Sequence, residues 1–175
     1  TNCNFIDNIA SGWGGAIRMS SGTVENCDFI DNIASNIGGA IYFNNDSSVI
    51  NCEFYENSAS YGGAIFSRNN TLITNSKFNK NDAVSGGAIY SNNDVTVQEC
   101  KFIQNDADYG GAILTYSSSN VTNCEFIENA ADYAGAIAAI NELFITKSKF
   151  NGNKADYGGA IFANAAANIK DCDFY

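Results

Sequence analysis

The residues with most chemistry to offer are carboxylates that recur at one interval. Asp108, Asp132 and Asp156 each lie 24 positions apart, and Asp106 stands two residues before the first. Carboxylates stacked at that interval hold their protons tightly or take up a cation, and an all-oxygen ligand set suits calcium. Stacked about 5 Å apart, they also resemble the carboxylate pair of a retaining glycoside hydrolase. Acid–base work, however, needs two carboxylates in different surroundings, and here the segments around them are nearly uniform. The G-G-x-G-x-D pattern of calcium-binding β-rolls is absent. The expectation is a solvated acidic corner, with calcium at Asp106, Asp108, Asp132 and Asp156 as the alternative. No catalytic residue is assigned, and no cofactor other than calcium comes into view.

The six cysteines are the second group. Cys3, Cys27, Cys52, Cys100, Cys124 and Cys172 share one phase of the same interval with Ser76 and Ser148. Stacked neighbours would have Cα atoms about 4.8 Å apart, within the range a disulfide spans, but their side chains would point in parallel, which suits the bond poorly. The serines show that the slot takes a small residue, so a buried free-thiol ladder is expected. No C-x-x-C pair and no histidine supports zinc.

Two aromatic-rich series could contact a partner. One comprises Trp13, Ile37, Tyr61, Ser85, Tyr109, Tyr133 and Tyr157, and the other Arg18, Tyr42, Phe66, Tyr90, Leu114, Ala138 and Phe162. An exposed apolar stripe marks a contact surface, and stacked tyrosines can hold sugar rings. Tyr42, Phe66, Tyr90, Phe162, Tyr61, Tyr109, Tyr133 and Tyr157 are therefore the candidate contacts. The alternative, a second core ladder, stays open because periodicity cannot arbitrate between adjacent apolar positions. Three glycosylation sequons begin at Asn45, Asn69 and Asn120, all expected in polar turns.

The elements that position these residues come from one repeating unit. Gly-Gly-Ala-Ile, or Ala-Gly-Ala-Ile once, begins at Gly14, Gly38, Gly62, Gly86, Gly110, Ala134 and Gly158. Phenylalanine recurs from Phe5 to Phe174 on the same beat, asparagine follows three residues later from Asn8 to Asn153, and Cys-x-Phe alternates around an outward charged position. A fixed period in the 20–50 residue range is the signature of a solenoid. The chain has too few leucines for a leucine-rich repeat, with Leu72, Leu114 and Leu143 alone, and no helical periodicity. What remains is an all-β, right-handed, single-stranded parallel β-helix of about seven 24-residue coils. Each coil reads as three short strands separated by turns. Asn-x-Ala turns, with the asparagine suited to the left-handed conformation of a sharp corner, and Ala-Ile begins the second strand, its buried face left open.

Composition narrows the partners. The net charge of −10, from 19 acidic and 9 basic residues, argues against nucleic acid or an anionic membrane. Histidine is absent, which removes the commonest general base and metal ligand, and so is proline, as a hydrogen-bonded ladder requires. Residues 1–175 read as one uncapped repeat domain, expected to be part of a longer repetitive chain.

With G-G-A-I and F-x-x-N alternating in register over essentially the whole chain, the sequence resembles the repeat region of chlamydial polymorphic membrane proteins. It is similar as well to the adhesin-like surface proteins of methanogenic archaea. The resemblance implies a right-handed parallel β-helix at an extracellular cell surface. It points to a non-catalytic adhesin-like or structural role in a stalk, envelope or filament. The partners it implies are other surface proteins, host or neighbour-cell surfaces, glycans, or further copies stacked end to end or laterally. The departure is Ala134. The alternative function is a carbohydrate-binding or polysaccharide-degrading β-helix whose active part lies outside these residues.

Overall fold

The computed structural model describes residues 1–175 and consists of strands and turns, with no helix. The third coil shows the plan, with strands Glu53–Tyr55, Ser58–Tyr61, Ile65–Ser67 and Thr71–Thr74. Each coil thus has four strands where the sequence reading expected three. The Asn-x-Ala segment, taken there as a turn, continues into a strand of its own. Stacked coils make four parallel sheets of eight, seven, seven and seven strands. We call them the Phe, Ala, Ile and Val sheets after the residue each sends inward. Their registers pair like with like, as Phe78 with Phe102, Ala83 with Ala107, Ile89 with Ile113 and Val97 with Val121.

Three corners of each coil turn on a single left-handed residue. In the fourth coil these are Lys80 (φ 53°), Gly86 (φ 64°) and Glu99 (φ 54°). The sequence reading gave the left-handed role to the repeated asparagine. The structure gives it to the residue just before, from Asp7 through Lys80 to Gly152. That frees the asparagine side chain to stack. The Nδ2 group of Asn81 donates to Asn105 Oδ1 at 2.9 Å and to the Phe54 carbonyl at 3.1 Å. The Asn81 backbone N–H donates to the same Oδ1 at 3.0 Å. Each asparagine thereby satisfies backbone groups that the corner would leave buried and unpaired.

The cysteine/serine slot follows the third of these left-handed corners and works the same way. Cys52 Sγ donates to the Ile50 carbonyl and Ser76 Oγ to the Thr74 carbonyl, while Ser76 Oγ accepts from the Cys52 N–H at 3.1 Å. The slot therefore selects a small hydrogen-bonding group, a narrower rule than the smallness inferred from sequence. Cysteine and serine interchange because both carry an X–H on Cβ.

The glycine pair divides its duties. The first glycine supplies the positive φ, and Ala134 takes φ 62° in its place. The second has no room for a side chain, since a Cβ on Gly87 would sit 2.1 Å from the Gly111 carbonyl oxygen of the next coil. That glycine is present in all seven coils.

The interior is a stack of eight phenylalanine rings with centroids 4.7–4.8 Å apart and planes within 6° of parallel. Burying each ring contributes roughly 1.5–3 kcal/mol. The Ile and Val of two other sheets, with the alanine that precedes each Ile, close the core around it. Where the Ile sheet meets the Val sheet, large and small inward residues compensate. Buried Phe43 lies in the same coil as Ser47, and buried Leu143 in the same coil as Ala139.

Candidate functional surface

Outward positions of the Ile sheet carry the ladder Arg18, Tyr42, Phe66, Tyr90, Leu114, Ala138 and Phe162, in register. Alternation with the inward Ile places them outside the coil, one of the two facings that the sequence left open. They do not form an open stripe, however. Tyr42, Phe66, Leu114 and Ala138 are at most 7% exposed, while the end members Arg18 and Phe162 are exposed, Phe162 to 37%. The cover comes from the series before the glycine pair in the preceding coil. Trp13 lies 5.2 Å from Tyr42, Tyr61 meets Tyr90 edge-on at 5.4 Å, and Tyr133 meets Phe162 edge-on at 6.1 Å. Leu114, Ala134 and Ala138 pack together in the same layer, with Tyr90 against them. The two sequence-derived series are thus one apolar layer, the second ladder lying beneath and the first lying over it.

What meets solvent is the covering row. Tyr61, Tyr109 and Tyr157 are 40%, 47% and 57% exposed. The Tyr109, Tyr133 and Tyr157 rings stack face to face at 5.1 and 4.7 Å. Their edges form a continuous aromatic strip along the axis, which is the geometry a flat apolar or sugar-ring ligand needs. Tyr90 is half-buried, and burial, followed by a hydrogen bond with Tyr116, pushes its phenol well above the ordinary value.

The acidic residues lie elsewhere than expected. Asp106, Asp108, Asp132 and Asp156 belong to strands of the Ala sheet, not to a corner, and all four face solvent. Asp82 pairs in register with Asp106. Partial burial, then Asp82, Asp108 and Asp132, raise the Asp106 carboxyl above its usual range. No three acidic, histidine or cysteine residues converge into a cation-binding group.

All six cysteines are free, with Cys27, Cys52, Cys100 and Cys124 buried. Burial pushes the Cys52 thiol up to about 11. Contact with the Cys124 thiol, and then burial, holds the Cys100 proton in place. Cys52 and Cys100 are thus held as structural thiols. Among the sequons, Asn45 is exposed on its turn, while the Asn69 amide donates to the Asn44 carbonyl at 2.8 Å. Asn120 is exposed on a Val-sheet strand, Ser119–Thr122, and not in the turn expected for it.

Residues 1–175 match the family described as the right-handed β-helix region. The chain belongs to the right-handed β-helix family. No curated protein and no solved structure matches it. The β-helix family includes both enzymes and non-enzymes. Sequence reasoning placed Trp13 and Arg18 in the aromatic series but missed that Arg68 shares their groove. The available signal was that Arg18 and Arg68 are the chain's two arginines.

Proposed function

We propose that this protein is a non-catalytic β-helical rod displayed at an extracellular cell surface, as an adhesin-like stalk or a structural part of an envelope or filament. The observation that carries this reading is the uniformity of the coils. Each of the four sheets runs in register from coil to coil, and the asparagine, phenylalanine and glycine ladders repeat with nearly constant geometry. Such a stack gains stability from each added neighbour and extends without changing its cross-section. Active sites are built by breaking such regularity, so that chemically distinct groups converge. The resemblance to chlamydial polymorphic membrane proteins and methanogen adhesin-like proteins points the same way. On this reading the Tyr109–Tyr133–Tyr157 strip is the contact for surface proteins, glycans or lateral copies. The test is labelling of intact source cells with an antibody raised against this chain. Labelling of intact cells is the expected result. Labelling only after permeabilisation would overturn the surface assignment.

A further inference from the structure

Arg18 and Arg68 stand fifty positions apart in a chain of net charge −10, yet both line one groove of about 330 Å³. The repeat explains how. Arg18 is the outward Ile-sheet residue of the first coil, directly beside Tyr42 of the second. Arg68 follows the outward residue Phe66 of the third coil by two positions, in the turn that leaves the sheet. The two arginines therefore lie diagonally across the groove, two coils and about 10 Å of axial rise apart. Tyr42 and Asn44 lie between them on the second coil.

The groove is furnished for one kind of guest. The Arg18 guanidinium carbon lies 4.9 Å from the Trp13 ring centroid and 5.9 Å from that of Tyr42, which fixes the side chain by cation–π contact. Neither arginine is in an ion pair, because the two salt bridges of the molecule join Lys80 to Glu56 and Lys101 to Glu125. Trp13 is 40% exposed, leaving indole surface for an apolar ring face. Asn44 Oδ1 accepts from the Tyr42 hydroxyl at 3.1 Å, which leaves its amide NH₂ to donate outward. Ser20 adds a hydroxyl at the rim. By contrast, a groove of about 370 Å³ at the corner around Cys100 and Cys124 has no aromatic lining and interleaves three lysines with two glutamates, Lys101 and Glu125 being paired.

We propose that this groove binds a sugar carrying a carboxylate, with Arg18 and Arg68 taking the acid and Trp13 the ring face. Unpaired guanidinium groups match a carboxylate with paired, charge-assisted hydrogen bonds. A neutral sugar has no use for them, and an acidic peptide offers no ring face for the indole. The −10 charge of the whole molecule opposes a dense polyanion but not one carboxylate per sugar unit. The inference does not depend on the stalk reading, since the groove is complete within three coils.

Trp13 is the single tryptophan of the chain, so its fluorescence reports on this groove alone. The probes are 3′-sialyllactose, a disaccharide ending in glucuronic acid, the methyl ester of each, lactose, and a triglutamate peptide. The expected result is a saturable change in Trp13 emission with at least one acidic sugar, and about tenfold or more weaker binding of its ester and of lactose. Arg68→Gln weakens that binding about tenfold at an unchanged melting temperature, while Arg68→Lys retains part of it. Equal binding of an ester or of lactose would overturn the proposal. So would triglutamate binding as tightly as the sugars, or no response to either acidic sugar.

Discussion

At the scale of single residues, two neighbouring glycines do different work and respond differently to the same change. Gly86 needs a left-handed backbone, which alanine adopts at a penalty of about 1–2 kcal/mol. A Cβ there would lie 2.3 Å from the Ile89 carbonyl oxygen, yet Ala134 shows that this corner shifts to admit one in the sixth coil. Gly87 has the Gly111 and Asp106 carbonyl oxygens 2.1 and 2.5 Å from where a Cβ would be. Gly87→Ala is therefore expected to cost about 3 kcal/mol or more, and Gly86→Ala clearly less, as read by chemical denaturation of the two variants. Equal losses would show that the close backbone carbonyls, present at both positions, govern the pair. Asn105→Ala removes the acceptor of Asn81 and the donor to the Phe78 carbonyl. Leaving such groups buried and unpaired costs about 1–3 kcal/mol each. Hydrogen exchange should show the Asn81 and Asn105 corners losing protection before the strands between them.

At the scale of elements, the Ile sheet is sandwiched. Its inner face packs on the phenylalanine stack, and its outer face lies under the row of aromatic residues that precede the glycine pairs. The outer ladder therefore behaves as core, although it lies outside the coil. Leu114→Asp places a carboxylate in a position 4% exposed and is expected to cost about 3 kcal/mol. Tyr109→Ser alters a side chain 47% exposed and should cost below about 1 kcal/mol. Thermal melts of the pair decide the matter, and a harmless Leu114→Asp would mean that the layer is loose. If the exposed strip is a contact surface, Tyr109 and Tyr157 are the residues whose loss weakens adhesion or assembly without unfolding the rod.

At the scale of the whole molecule, stacking identical coils also stacks identical charges. Asp82, Asp106 and their neighbours meet along one face, and the Asp106 carboxyl is raised accordingly. An acid whose folded value is raised binds protons more readily in the native state, so its contribution to stability grows as pH falls into the carboxylate range and is smallest at neutral pH. Asp106→Asn is expected to raise the melting temperature at pH 7 in low salt. Added salt should shrink the gain as the Debye length contracts. A variant no more stable than the parent would show that the row is fully screened by water. Calcium added to the parent chain tests the cation alternative in the same assay.

Much of this was legible in one dimension because a solenoid writes its third dimension into its period. The 24-residue step alone implied the parallel register, and the alternation in Cys-x-Phe told inside from outside on the Phe sheet. The phenylalanine and asparagine ladders follow from those two facts, since in-register stacking brings each residue onto its own repeat. Other properties required coordinates. Which residue takes the left-handed corner depends on backbone closure, and Asp, Glu, Lys and Gln all serve there beside Asn. The cover over Tyr42 and Tyr90 depends on a side chain of one coil leaning onto the next, across 29 positions. Arg18 and Arg68 meet because coil rise and turn geometry bring two unrelated repeats to one groove. Sequence repetition determined the ladder, and tertiary packing decided which outer residues are hidden and which stand open to a partner.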